Sequence, residues 1–348
     1  MALSASALAE RLASRLVPAV PVPHRAGGAF DATAQAAYAA WMAAQDVAGV
    51  AVWAHTGRGL HLDEETAAAV LSAWRRALPD RVIVAGAGAR PPAAPGGHGG
   101  RARITPPADA LGLTNFVVER TVAMAHQARD LGADAVLAFP PALLAGLDDH
   151  ERRIVDVHAA LAETGLPVLA FWLYPAAGGC AYGPALVERL LDLPHVAGLK
   201  VATLDSVVRF QDIAARVPPG KLLVTGEDRF LGYSLLMGAR SALIGLGAAA
   251  TAVPAALVAA HARSDWARFV ALSAACDRLG AAAFGEPVEG YPRRMLWLLA
   301  SEGVIPREAA FDPWGPPVPE AQLESLERTA REAHDVATGP AGAGGRRP

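Results

Sequence analysis

The chain has 348 residues, 53 % of them hydrophobic and 19 % charged, with a formal net charge of −3. That is too apolar and too weakly charged for a disordered chain, and 31 basic against 34 acidic side chains argue against a general binder of nucleic acid. The length suits two domains or one large α/β barrel with additions, and no apolar run reaches the roughly 18 residues that a membrane helix needs.

Residues 1–16 carry Glu10, Arg11 and Arg15 and lack an apolar signal core. They read as a short amphipathic helical extension of a cytoplasmic protein. From residue 17 to about 260, short apolar runs alternate with longer helix-like segments. The strand candidates are 17–22, 50–54, 82–85, 135–139, 167–174, 196–201, 222–225 and 242–246. Helical periodicity falls in 31–45, 63–77, 116–131, 148–163, 184–191 and 204–215. Several of these begin at acidic residues or proline, as at Asp63-Glu64-Glu65 and Asp148-Asp149, where the helix dipole favours negative charge. Strands that are apolar throughout are those buried on both faces of a parallel sheet. Eight strand–helix repeats therefore predict a (β/α)8 TIM barrel. An open doubly wound sheet is weakened by the lack of a G-x-G-x-x-G turn after the first strand.

Residues 90–112, rich in Pro and Gly, interrupt the repeat after the third strand. A βα loop opens on the face where barrel active sites lie, and Arg90, Arg101 and Arg103 give it positive charge. Residues 261–336 read as a C-terminal helical region and 337–348 as a disordered tail.

Cys180 and Cys276 are too few for a disulfide framework and lack metal-ligand spacing. Among the 31 basic residues only Lys200 and Lys221 are lysine. Where arginine serves wherever charge alone is needed, a remaining lysine draws notice, because a desolvated amine can attack a carbonyl and a guanidinium cannot. Lys200 lies in the run 196–202 and shares a strand face with Gly198 and Ala202, small residues that leave room for a ligand. If that face points inward, burial lowers the amine's pKa; if not, the side chain snorkels to water. Tyr174 ends the fifth strand on the catalytic side of a barrel, suited to moving protons or simply to packing. After the second strand, His55-Thr56-Gly57-Arg58-Gly59 forms a tight turn. Its N–H groups offer a nest for a carboxylate, with Thr56 as hydroxyl donor and His55 as acid or base; a plain βα turn has the same composition.

In this order and register the segments resemble the dihydrodipicolinate synthase/N-acetylneuraminate lyase family of Schiff-base aldolases. The resemblance runs through AHTGRG, GADAVLAFPP, Tyr174, GLKVATLD, TGEDRFL and GARSALIGLGAAA, from about residue 17 to 246 and beyond. It implies that Lys200 forms the imine, that Tyr174 relays protons, and that the turn Thr56-Gly57 holds the carboxylate of a pyruvate-like 2-oxo acid; from position alone His55 is read as a substitute for the family's hydroxyl relay, Arg58 as an anchor for an anion, and Gly245 as a further substrate contact. It also implies a lyase without metal or organic cofactor, and a homo-oligomer, dimer or tetramer. The chain departs from the family at His55, where a hydroxyl residue is usual, and at Arg58, where a glutamate is. It departs again at Pro140-Pro141-Ala142-Leu143, which lacks the tyrosine that many members use between subunits. The stretch after Tyr174 lacks the Asn-x-Pro and the arginine that dihydrodipicolinate synthases use on the incoming aldehyde. These departures point away from dihydrodipicolinate synthesis itself. A metal-dependent barrel is disfavoured because no H-x-H or H-E-x-x-H pair occurs. A non-catalytic or regulatory barrel that binds a small 2-oxo acid is the principal alternative.

Overall fold

Eight short runs of small and branched apolar residues pair side by side in the computed structural model, which describes residues 3–89 and 106–339. The elements run α1 (Ala5–Leu12), β1 (Leu16–Pro18), α2 (Ala32–Ala43), β2 (Gly49–Val52), α3 (Glu64–Ala77) and β3 (Val82–Ala87). Next come α4 (Ala110–Asp130), β4 (Ala135–Ala138), α5 (His150–Ala160), β5 (Val168–Leu173), α6 (Pro184–Leu191) and β6 (Val196–Ala202). The repeat ends with α7 (Val207–Ala214), β7 (Leu222–Thr225), α8 (Leu231–Leu236), β8 (Ser241–Ile244) and α9 (Ala252–Ala262). Three further helices follow: α10 (Trp266–Ala283), α11 (Tyr291–Ser301) and α12 (Glu320–Thr338).

All strands are parallel, in the order β1-β8-β7-β6-β5-β4-β3-β2. A bridge between Ala19 and Ala51 joins the two ends, where the Val20 N–H donates to the Ala51 carbonyl at 3.1 Å. This is the (β/α)8 TIM barrel that the alternation predicts. The first strand is shorter than the apolar run 17–22 suggests, because Pro18, Pro21 and Pro23 have no N–H to give to a ladder.

Helix starts follow their caps. Asp31, Asp63 and Asp109 accept from the N–H groups of Ala34, Thr66 and Gly112 at 3.0, 2.7 and 2.8 Å. The Asp109 cap starts α4 at Ala110, ahead of the expected 116 and inside the expected insert. Residues 90–105, with Arg90, Arg101 and Arg103, lie outside the described residues, as do 340–348. Asp149 makes no side-chain cap on α5; its carboxylate takes Arg152 and Arg153 instead.

Strand faces sort as period-two geometry requires. In β5, Leu169, Phe171 and Leu173 join the barrel interior, while Val168, Ala170 and Trp172 join the layer against the helices. The register of β6 on β5 slips at its start, from Val168↔Val196 to Leu169↔Gly198. Beyond that bulge Leu199 and Val201 face the helices, and Phe171 pairs with Lys200. Gly198 allows the close approach of β7: a Cβ there would lie 2.0 Å from the Leu222 carbonyl oxygen.

At the N-terminal end of the barrel, α1 acts as a stopper. Leu8 and Leu12, both fully buried, cluster with Val82, Ala135, Ala197 and Leu222 near the starts of their strands. At the other side, α10 and α12 pack on α9. The buried guanidinium of Arg294 donates to the carbonyls of Ala283, Glu286 and Pro287 at 3.1–3.3 Å and to Gln322 at 2.8 Å. This fixes the loop between α10 and α11. The helical region expected at 261–336 thus packs against the barrel. No helix of the described residues is long and apolar enough to cross a membrane.

Truncating the stopper tests its weight. Leu12→Ala is expected to lower the unfolding free energy by about 2–5 kcal/mol in urea denaturation. Arg11→Ala, on the exposed face of the same helix, is expected to change it by less than about 0.5 kcal/mol.

Candidate active site

Lys200 projects from β6 into the barrel and is 5 % exposed. Its Nζ makes no hydrogen bond or ion pair with any described residue; it sits 4.2 Å from the centroid of the Phe171 ring on β5. Small neighbours make the space. A Cβ on Gly226 would come within 2.8 Å of the Lys200 Cε, and Ala202 is the next inward residue of the strand. Burial pushes the amine down to about 8, against the opposing pull of the Asp228 and Glu227 carboxylates. Near neutral pH part of the amine is then uncharged, the form that nucleophilic attack requires.

The amine opens into a small, partly open cavity. Its lining includes Tyr174, His55, Thr56 and Gly245 together with Phe171, Leu173, Leu204, Asp228, Ile244, Phe284 and Tyr291. Tyr174 follows β5 and is anchored by its N–H to the Ala202 carbonyl at 3.1 Å. Burial, then the charges of Glu289 and Asp228, raise its phenol above the usual range, so it is a hydroxyl rather than a phenolate at neutral pH.

The turn after β2 differs from the expected nest. Gly57 and Gly59 donate their N–H groups to the Ala54 carbonyl at 3.1 and 3.3 Å, and Arg58 donates to the His55 carbonyl at 3.1 Å. Those donors are used inside the turn; the N–H groups of His55 and Thr56 bond to no described residue. Gly57 is required all the same, since a Cβ there would lie 2.7 Å from the Val20 carbonyl oxygen.

Neither Gly57 nor Arg58 lines the cavity. Arg58 has a backbone φ of 51° and turns to the C-terminal region. It donates to the Asp312 carboxylate through Nε (3.1 Å) and Nη2 (2.8 Å), to the Glu289 carboxylate through Nη1 (2.8 Å), and to the Glu289 carbonyl (2.7 Å). The anion it anchors is the protein's own, and its charge is neutralised there.

Several cavity residues lie beyond the expected set. Asp228 follows β7, and its carboxylate accepts from the N–H groups of Leu246 (2.7 Å) and Gly245 (3.3 Å). Burial raises it to about 6, with those bonds and Lys200 opposing. TGEDRFL was the available signal for it. Tyr291, at the start of α11, has its Oη 3.0 Å from both Thr56 Oγ1 and His55 Nδ1. Its ring stacks on Phe284 at 4.5 Å between centroids. A Cβ on Gly245 would lie 3.1 Å from the Tyr291 ring, so glycine leaves that ring its place. No local pattern marks Tyr291, which stands 235 residues from Thr56. His55 is pushed down to about 4 by burial, which outweighs the attraction of Glu289, and is neutral at pH 7. Among the described residues no group of three or more His, Cys, Asp or Glu is arranged to hold a metal ion.

Residues 116–333, more than half of the chain, match the family model described as the dihydrodipicolinate synthetase family. The chain is 29 % identical over 189 residues to a 4-hydroxy-tetrahydrodipicolinate synthase of Pseudomonas aeruginosa, covering 53 % of this chain and 61 % of that one. It is 25 % identical over 249 residues to a probable mitochondrial 4-hydroxy-2-oxoglutarate aldolase of Emericella nidulans, covering 66 % and 69 %. It is 32 % identical over 195 residues to a probable 5-dehydro-4-deoxyglucarate dehydratase of Saccharopolyspora erythraea, covering 56 % and 52 %. Thus it spans about three fifths of the first of these relatives and about half of the third. Among solved structures, a Ruminococcus gnavus sialic acid aldolase shares the fold with a TM-score of 0.73 at 15 % identity, covering 93 % of this chain and 99 % of that one. A pyruvate complex of an E. coli K12 prophage protein of the dihydrodipicolinic acid synthase family has the same TM-score at 20 % identity, covering 92 % and 98 %.

Replacing the buried amine by a neutral side chain tests its desolvation. In the unfolded chain Lys200 keeps its proton up to 10.5, in the fold only up to about 8. The unfolded state therefore binds more protons between those values, and stability rises with pH across that window. Lys200→Met is expected to stabilise the protein at pH 7 by about 3 kcal/mol. That gain should fade as denaturation is repeated from about pH 8 up to 10.5.

Proposed function

We propose that this chain, which belongs to the dihydrodipicolinate synthetase family, is a Schiff-base lyase of the class I aldolase type acting on a pyruvate-like 2-oxo acid. The observation that carries the reading is the Lys200 amine: buried, unpaired among the described residues, partly uncharged, and open to a cavity shared with Tyr174 and Thr56.

The neutral amine attacks the C2 ketone, forming a C–N bond; the oxygen, protonated from Tyr174, leaves as water and an imine remains. The iminium draws electrons from C3, and loss of a C3 proton gives the enamine. That enamine adds an aldehyde in the condensing direction; in the reverse direction, retro-aldol cleavage produces it. Dehydration follows the same route when a hydroxyl at C4 leaves. The carboxylate of the 2-oxo acid is held by the unspent N–H groups of His55 and Thr56. Arg58 and Gly57 take no direct part. The iminium supplies the electron sink, so this route uses no cofactor.

The partner aldehyde meets an apolar wall. Phe171, Leu173, Leu204, Leu243, Ile244 and Phe284 line the cavity, and among the described residues no arginine does. A carboxylate-bearing aldehyde would face Asp228 without a matching cation. Aromatic or aliphatic aldehydes suit this wall better, which supports a specificity away from dihydrodipicolinate synthesis.

Incubation with pyruvate and borohydride is expected to reduce an imine onto Lys200, located by peptide mass mapping, and to inactivate the enzyme. Lys200→Arg keeps the charge but not the nucleophile, and no adduct should form. Retained turnover in that variant would remove the nucleophile's role from Lys200, and the absence of any adduct across a panel of 2-oxo acids would leave only a binding barrel. With pyruvate as donor, benzaldehyde-type acceptors are expected to exceed carboxylate-bearing ones by roughly tenfold or more in kcat/KM.

A further inference from the structure

The C-terminal region brings two side chains to the site that the covalent steps leave unused, Tyr291 and Glu289. Both meet His55. The Thr56 Oγ1 lies 3.0 Å from the Tyr291 Oη, and that oxygen lies 3.0 Å from the His55 Nδ1. On the far side of the imidazole, Nε2 stands 3.6 Å from the Glu289 Oε2. The inner two members are buried and the outer two are more exposed. Thr56 and Tyr291 are each 4 % exposed, the His55 side chain 18 % and the Glu289 side chain 36 %. One end lines the cavity and the other reaches water.

We propose that Thr56, Tyr291, His55 and Glu289 form a proton conduit between the cavity and the surface, with Tyr291 and His55 as its relay groups. The inference rests on the Schiff-base reading, because imine and enamine formation both require protons to move while the substrate fills the cavity mouth. Each member has the chemistry for the task. A hydroxyl gives one proton while it takes another, and a neutral imidazole accepts at one nitrogen and donates at the other. A proton arriving at Thr56 displaces that residue's own proton to the Tyr291 Oη. The Tyr291 proton passes to His55 Nδ1, and the Nε2 proton passes to the Glu289 carboxylate. One proton enters, one leaves, and no charge stays in the buried section. Glu289 Oε2 is held by Arg58 Nη1 and stands 3.6 Å from Nε2, a span that the proton crosses through solvent at this exposed end.

The surroundings hold the series in line. Phe284 and His55 stack on the two sides of Tyr291, at centroid distances of 4.5 and 5.9 Å. Arg58 holds both the carboxylate and the carbonyl of Glu289, and Asp312 in turn holds Arg58. Burial keeps His55 neutral despite the carboxylates of Glu289 and Asp312; Arg58 and Lys200, the cations facing it, act in the same sense as burial. Nothing in this arrangement requires a second subunit. The tyrosine comes from the same chain, on a helix outside the eight-fold repeat.

The test follows exchange of the pyruvate methyl protons in deuterated water by NMR, with borohydride trapping at Lys200 as a separate readout on the full-length protein. Tyr291→Phe keeps the stacked ring and removes only the hydroxyl. It is expected to form the imine but to slow exchange by roughly 10- to 100-fold. His55→Ala is expected to slow exchange similarly and to be rescued by free imidazole in a concentration-dependent way, which a purely structural role would not allow. A matched thermal midpoint for Tyr291→Phe separates lost relay from lost fold. If the parent traps pyruvate and both variants exchange within about twofold of it, the conduit is overturned and the Schiff-base reading stands. If the parent traps neither pyruvate nor 2-oxobutyrate, both fall together.

Discussion

A primary amine held without a hydrogen-bond partner among the described residues is the constraint on which the rest of this site depends. Water solvates an ammonium far better than a ring face does, so placing Lys200 against Phe171 is unfavourable unless something offsets it. The offset comes from Asp228 and Glu227, close enough to act on the amine by charge yet tied to other donors. Asp228 is bound to the N–H groups after β8, and Glu227 to those of Thr203 and Leu204 after β6. With their oxygens so occupied they temper the burial effect without cancelling it, and burial remains the larger influence on Lys200. Burial raises both carboxyls as well, to about 7 for Glu227 and about 6 for Asp228. Burial thus draws the amine and both carboxyls towards neutrality from opposite sides.

Keeping that amine sheltered is a task for the whole chain. The stopper helix α1 fills one end of the barrel with Leu8 and Leu12. At the other end, the loop between α10 and α11 supplies Phe284, Glu289 and Tyr291. Arg294 fixes the loop from within, and Arg58 grips it from the barrel side. A buried ion pair of the Arg58–Asp312 kind adds little net stability, because desolvating both charges offsets their attraction. Its directional bonds instead fix how the C-terminal region sits over the mouth. An arginine at this turn therefore acts through position: it places Glu289 beside His55.

Backbone geometry at the rim is correspondingly unusual. Trp53, Arg58 and Leu204 all have positive φ, at 54°, 51° and 68°. The first two bracket the turn that carries His55 and Thr56, and the third lines the cavity beside Lys200. Side chains other than glycine adopt such angles at a cost, and they persist where surrounding contacts over-determine them. Here those contacts are the Trp53 indole on the Ala67 carbonyl, the Arg58 network, and the Glu227 carboxylate on the Leu204 N–H. Residues aimed at a substrate are held by structure whose own ties lie outside the cavity.

Much of this was legible in the residues alone. The alternation of apolar runs with helical segments determined the barrel, because strands covered on both faces must be apolar throughout. Strand alternation put Lys200 on one face with the small residues 198 and 202; that this face points inward was decided by the fold. Tyr174 and Thr56 followed from their places just past strand ends. The turn N–H groups and Arg58 read differently in three dimensions: Gly57 and Gly59 give their donors to Ala54, and Arg58 finds two carboxylates in the C-terminal region. Tyr291 and Glu289 had no local signature. Their partnership with Thr56 and His55 spans more than 230 residues of chain, and a hydrogen bond between such distant positions follows from packing rather than periodicity. The sequence by itself determined the scaffold and singled out the strand lysine, because both rest on repeating local patterns of residues. Only the tertiary structure decided that this lysine is buried and which groups surround its amine, because side-chain contacts across the barrel mouth depend on where the last helices come to rest.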